Sequence, residues 1–193
     1  MLQSKVILVK ELSKLLLVFP DLVRKLEQKD PMFLTDLFRW MDHAEQVLKQ
    51  HRITGVSELA GLRSRIVSPV FDNDTREPLR KRQIKVAAEQ MYALQACISD
   101  CLEPVQQRMD SSRELVRQLL AMLSDSRAVQ FEQGTAVDDF IRRIWWMLSQ
   151  HEQLRAHAVQ LKSHLSEPDI HLLITEEIDI EHFSETPKRL RQG

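Results

Sequence analysis

Glycine occurs only four times in 193 residues, at Gly55, Gly61, Gly134 and Gly193, where average usage of about 7% would give roughly thirteen. Phosphate-cradling loops, dinucleotide-binding turns, nucleophile elbows and tight hairpins all need glycine where the backbone takes positive φ or approaches a ligand closely. The shortage therefore argues against most chemistry carried on such turns. Cysteine is scarcer still: Cys97 and Cys101 stand alone, which excludes a disulfide framework and makes a reducing, cytoplasmic setting the expectation. Neither charge sign dominates, the formal net charge being −1, so nothing pulls the whole chain toward nucleic acid or anionic membrane. The most apolar stretch, Val6 to Phe19, is interrupted by Lys10, Glu11 and Lys14, too short and too charged to span a bilayer.

What the chain does have is helical periodicity. A 3,4 spacing runs through Ile84, Ala88, Met91, Gln95, Ile98, Leu102, Val105, Met109, Ser112, Val116, Leu119 and Leu123, ten of the twelve apolar, the coiled-coil-like period that holds one stripe of a long helix against its neighbours. Pro104 lies inside this run without disturbing the phase, and Glu103 is a poor cap, so the pattern predicts one continuous, kinked helix. Additional apolar residues beside the seam, Leu94, Cys101, Leu115, Leu120 and Met122, make it too wide for a two-stranded coil and favour a bundle. A second seam, Val137, Phe140, Ile144, Met147, His151, Leu154, Ala158, Leu161 and Leu165, predicts a partner helix, with Thr135 and Asp138 resembling a capping box.

Upstream, Leu8, Leu12, Leu15, Leu16 and Phe19 form a helical stripe that Pro20 is expected to end, a second short helix then running to Lys29. Leu15 to Phe19 is apolar on every side, as suits a segment either deeply buried or covered by a partner. Asp30-Pro31 begins a helix to about His51, and another runs from Glu58 to Val67. Downstream, Ser166, Pro168 and Asp169 start a short helix. The fold class is therefore all-α: an elongated multi-helix bundle with a long antiparallel pair, about 79–123 and 135–165. Residues 1–67 form a smaller N-terminal helical body, 68–78 a loop or hinge, 79–175 the long-helix bundle and 176–193 a charged tail, in one domain overall.

Candidate sites are few. The spacing of His157, His164 and His171 places the first two about 10 Å apart along a helix, too far for one ion, and no metal site, cofactor or catalytic group is expected. Cys97 and Cys101 face the same side and read most economically as packing. Arg76, Arg80, Lys81, Arg82 and Lys85 concentrate positive charge at the start of the long helix, a possible phosphate-binding surface without the interleaved aromatics that stack bases. Trp146 falls on a polar face beside Arg142 and His157, where a tryptophan is either covered by another helix or anchors a partner. In the acidic tail Ile178, Ile180 and Phe183 suit a segment that orders on a partner. Phe19, Trp146, Arg142, His157, Ile178, Ile180 and Phe183 are thus the expected partner-binding residues. The expected function is a non-enzymatic subunit or adaptor joining other protein subunits, as a hetero-complex or homodimer. The alternative is an accessory subunit of a nucleic-acid-processing or defence complex that contacts phosphates through the basic helix start.

Overall fold

A computed structural model of the chain describes residues 3–69, 77–132 and 134–184. Among them are seven α-helices, α1 Lys5–Glu27, α2 Phe33–Gln50, α3 Val56–Val67, α4 Leu79–Ser126, α5 Val137–Gln150, α6 Arg155–His164 and α7 Glu167–Glu177, followed by a short 3₁₀ helix, Ile180–Phe183, and no strand. The fold is all-α, and no described helix is long and apolar enough to cross a membrane. The chain forms two compact units, one of Val6–Gln106 and one of the described residues within Met1–Lys5 and Gln107–Gly193.

In the first unit, α1 to α3 and the first half of α4 enclose one core in which Leu12, Leu37, Met41, Leu48, Ile66, Leu94 and Ile98 are fully buried. Pro20 does not end α1, contrary to its sequence reading. The buried stripe Leu8, Leu12, Leu15, Phe19 and Leu22 runs through it, and burying Phe19 and Leu22, at about 1.5–3 kcal/mol per large side chain, opposes the proline penalty of about 3 kcal/mol. The Trp40 indole N–H donates to the Leu15 carbonyl at 2.9 Å.

The shortage of glycine shows at helix ends. α1 and α2 close with paired bonds, Asp30 N to Lys25 O with Lys29 N to Leu26 O, and Ile53 N to Leu48 O with Arg52 N to Lys49 O. This pattern places one residue in the left-handed region, usually a glycine. Here Lys29 and Arg52 take it, each with φ of 55°.

In the second unit the latter half of α4 packs with helices that are short. α4 passes Pro104 unbroken, but the segment expected to be one helix over 135–165 is two. α5 ends at Gln150, His151 is extended with φ −68° and ψ 124°, and Leu154 immediately precedes α6. The physical reason lies in the seam itself. A straight helix would press the polar His151 into the apolar side, whereas the turn leaves His151 exposed and buries Leu154, so that α5 and α6 pack against each other. The Thr135 cap does not form; Ala136 precedes the helix without a side-chain bond, and Asp138 and Asp139 instead face its positive end. Ser166 does cap α7, accepting the Asp169 N–H at 3.4 Å. The Asp169 carboxylate, itself buried, caps the start of α1, accepting the Ser4 hydroxyl and the Lys5 N–H, the latter at 2.8 Å.

Candidate functional site

Phe19 is not at a docking surface. It is a core residue, set edge-on against Trp40 with ring centroids 5.1 Å apart. Its neighbours carry the exposure instead: Leu17 is 77% and Val18 50% accessible. Both line a groove of about 910 Å³ between α1 and α2, with Lys14, Asp36, Trp40 and His43 among its other walls. Sequence reasoning marked this apolar stretch but chose the wrong side of it. The missing signal was that the stripe Leu8, Leu12, Leu15 and Phe19 already fixes the inward face, leaving positions 17 and 18 outside. Along the groove Lys25 and Asp36 pair; their hydrogen bond raises the lysine pKa and holds the Asp36 carboxyl below its ordinary value.

The two adjacent tryptophans of α5 divide as the helical phase requires. Trp145 is buried under the Lys162 ammonium, 5.2 Å from the ring centroid, whereas Trp146 is 60% exposed. Arg142, one turn earlier on the same face, binds Asp139 at 3.2 Å and the Asp138 carbonyl at 3.3 Å. His157 lies on α6, past the turn at His151, so the single-helix phase that set it beside Trp146 does not carry through. Its Nδ1 is buried with no hydrogen-bond partner among the described residues.

The acidic segment is ordered by its own chain as far as Ser184. Phe183 is buried against Phe140, which also meets Phe131, at centroid separations of 5.7 and 5.0 Å. The Phe131 N–H donates to the Phe183 carbonyl at 2.8 Å, and Ser124 donates to the His182 carbonyl at 3.0 Å. Arg113 binds Glu176 and Glu177, both at 2.8 Å, and Arg117 binds Glu177, a bond that raises the Arg117 pKa. Ile178 and Ile180 are half-buried. The expectation of a free segment awaiting a partner therefore fails for 176–184; residues 185–193 lie outside the described residues.

The basic helix start is largely occupied with local partners. Arg76 lies outside the described residues. Arg80 donates to the Pro31 carbonyl, Arg82 is half-buried, and Lys81 and Lys85 both bind Glu77, at 3.3 and 2.9 Å. Those bonds, Lys85 foremost, hold the Glu77 carboxyl below its ordinary value. No group of three or more histidine, cysteine, aspartate or glutamate side chains is placed to hold a metal ion among the described residues. No family model, curated protein or solved structure matches the chain.

Proposed function

We propose that this protein is a non-enzymatic helical subunit that docks other protein chains within a larger assembly. The observation that carries the reading is the placement of three large apolar side chains on well-formed helices with most of their surface in water: Leu17 at 77%, Val18 at 50% and Trp146 at 60% exposure. Leu17 and Val18 rim the α1–α2 groove, the concave, mostly apolar kind of surface that receives a partner's side chains. Trp146 stands beside Arg142, and tryptophan and arginine are both enriched among binding hot spots.

The decisive experiment immobilises the full chain and compares partners retained by the wild type, Leu17→Asp and Trp146→Ala. Stoichiometric partners lost with one or both substitutions are the expected result. An identical retained set for all three proteins, or none for the wild type, overturns the reading. The phosphate-contacting alternative is the weaker proposal, because Glu77 already neutralises part of the basic helix start. Its signature is salt-dependent nucleic-acid binding that disappears when Arg80, Lys81, Arg82 and Lys85 are neutralised.

A further inference from the structure

The connection between α2 and α3 ends at Gly55, which precedes α3 in a helical conformation, φ −57° and ψ −12°, with no side-chain cap. Its missing side chain is where α4 arrives. A Cβ on Gly55 would stand 2.4 Å from Cys101 Sγ and 3.9 Å from Cys97 Sγ, so two sulfurs fill the space a larger residue would take. The Cys97 thiol donates to the Gly55 carbonyl at 3.7 Å, a backbone hydrogen bond joins Gly55 to Cys101, and the two thiols are hydrogen-bonded to each other. Cys97 is buried and Cys101 half-buried.

The arrangement settles what the pair cannot become. On an intact helix, side chains four apart have Cβ atoms about 5–6 Å apart, beyond the roughly 3.5–4.5 Å of a disulfide. A single ion with metal–sulfur bonds of about 2.3 Å spans sulfurs up to about 4.6 Å apart and needs no unwinding. With no cluster of three or more candidate ligands among the described residues, the tetrahedral set that zinc takes in structural sites is absent.

We infer that Cys97 and Cys101 form a two-sulfur site for a soft, monovalent metal ion of the Cu(I) type. Thiolates select such ions over harder ones. Binding forms two metal–sulfur bonds and releases both thiol protons, leaving a bis-thiolate complex of net charge −1. The positive end of α3 lies against Cys101 and favours its thiolate, while the Glu58 and Asp100 carboxylates act on both sulfurs in the opposite sense. The site does not depend on the proposed docking role.

The test titrates the full, reduced chain without oxygen against a coloured Cu(I)–bicinchoninate complex. One equivalent of Cu(I) should pass to the wild type and be lost, by at least tenfold in affinity, in Cys97→Ala and in Cys101→Ala. Failure of the wild type to take the ion overturns the inference, as does uptake unchanged in both variants, which would place the ion on methionine or histidine. A second measurement needs no variant: alkylation of the wild type, read by mass spectrometry, should be suppressed at both cysteines by one equivalent of Cu(I). Alkylation unaffected by the ion overturns the inference equally.

Discussion

In the second half of α4 the buried residues are Met109, Ser112, Val116, Leu119, Leu120 and Leu123; in the first half they are Ala87, Met91, Leu94, Cys97 and Ile98. The later set contains five of the six seam positions that 3,4 spacing predicts there, Val105 being half-buried. The earlier set keeps only Met91 and Ile98 of the predicted register, and Ala88 and Gln95 face solvent. Two stripes of the same period cross at Met91 and Ile98, and the one chosen holds Leu94 where the other holds Gln95. Periodicity thus establishes that a helix has a buried side, but neighbouring elements on two flanks decide which of two overlapping stripes it is. Here α1 to α3 surround the first half and widen its buried arc past a single seam.

The comparison is broken most directly at Leu94 and Gln95. Leu94→Ala should cost about 2–5 kcal/mol in urea-unfolding free energy, as a fully buried leucine does, and Gln95→Ala about 0.5 kcal/mol or less. Comparable losses would restore the register through Gln95. Gly55→Ala tests the same stripe from its opposite side. Its Cβ must displace Cys101 Sγ, an overpacking of about 1–3 kcal/mol, partly offset by about 0.4–1 kcal/mol from the stiffer unfolded chain; a Tm equal to or above wild type would mean that the sulfur moves freely. Arg52→Gly, in the same unit, should act oppositely. Relief of the positive φ at that helix end should raise the urea midpoint, by about 0.5–1 kcal/mol in stability, and a fall would show that the Arg52 side chain is worth more than its backbone strain.

The smallest effect separates the units by pH. Asp36, Glu45 and Glu77 all belong to the first unit, and bonds to Lys25, Lys49 and Lys85 respectively are the chief cause of their lowered pKa values. A carboxyl lowered in the folded state contributes stability above its unfolded pKa and loses it as pH falls through the folded value. Acidification below about pH 4, under the ordinary values of 3.8 and 4.5, should therefore accelerate hydrogen exchange in α1–α3 through these groups. The raised pKa of Arg117 in the second unit means that the guanidinium loses its own charge only as pH rises through that value, so its own titration adds nothing in acid. Equal acceleration in both units would remove the distinction.

Much of the fold was readable from the residues. Helix content, continuity through Pro104, the α4 seam from Met109 onward and the Ser166 cap followed from period and capping chemistry. The departures share a cause, namely tertiary contacts that outweigh local signals. Pro20 stays within α1 because Phe19 and Leu22 flank it on a buried stripe, and the helix predicted through His151 breaks because a polar residue occupied a seam position. The candidate site was less legible. Phe19 belongs to a segment whose all-round apolarity suits either deep burial or a partner, and Phe183 to an acidic tail, yet each completes an aromatic cluster, with Trp40 and with Phe140, whose other members lie about twenty and forty positions away. For Trp146 the phase of α5 gives the polar face, and the structure adds that no neighbouring helix covers most of it, its exposure being 60%.

Asp169 carries one further consequence, in the order in which the chain can assemble. The body formed by Val6–Gln106 is continuous in sequence and can close as soon as it has left the ribosome. The other unit joins Ser4 to Asp169 across 165 positions, so its closure waits for α7 to be synthesised and requires the ends of a very long loop to meet. Until then the first turn of α1 lacks its carboxylate acceptor, making the earliest helix of the chain among the last to have its start secured.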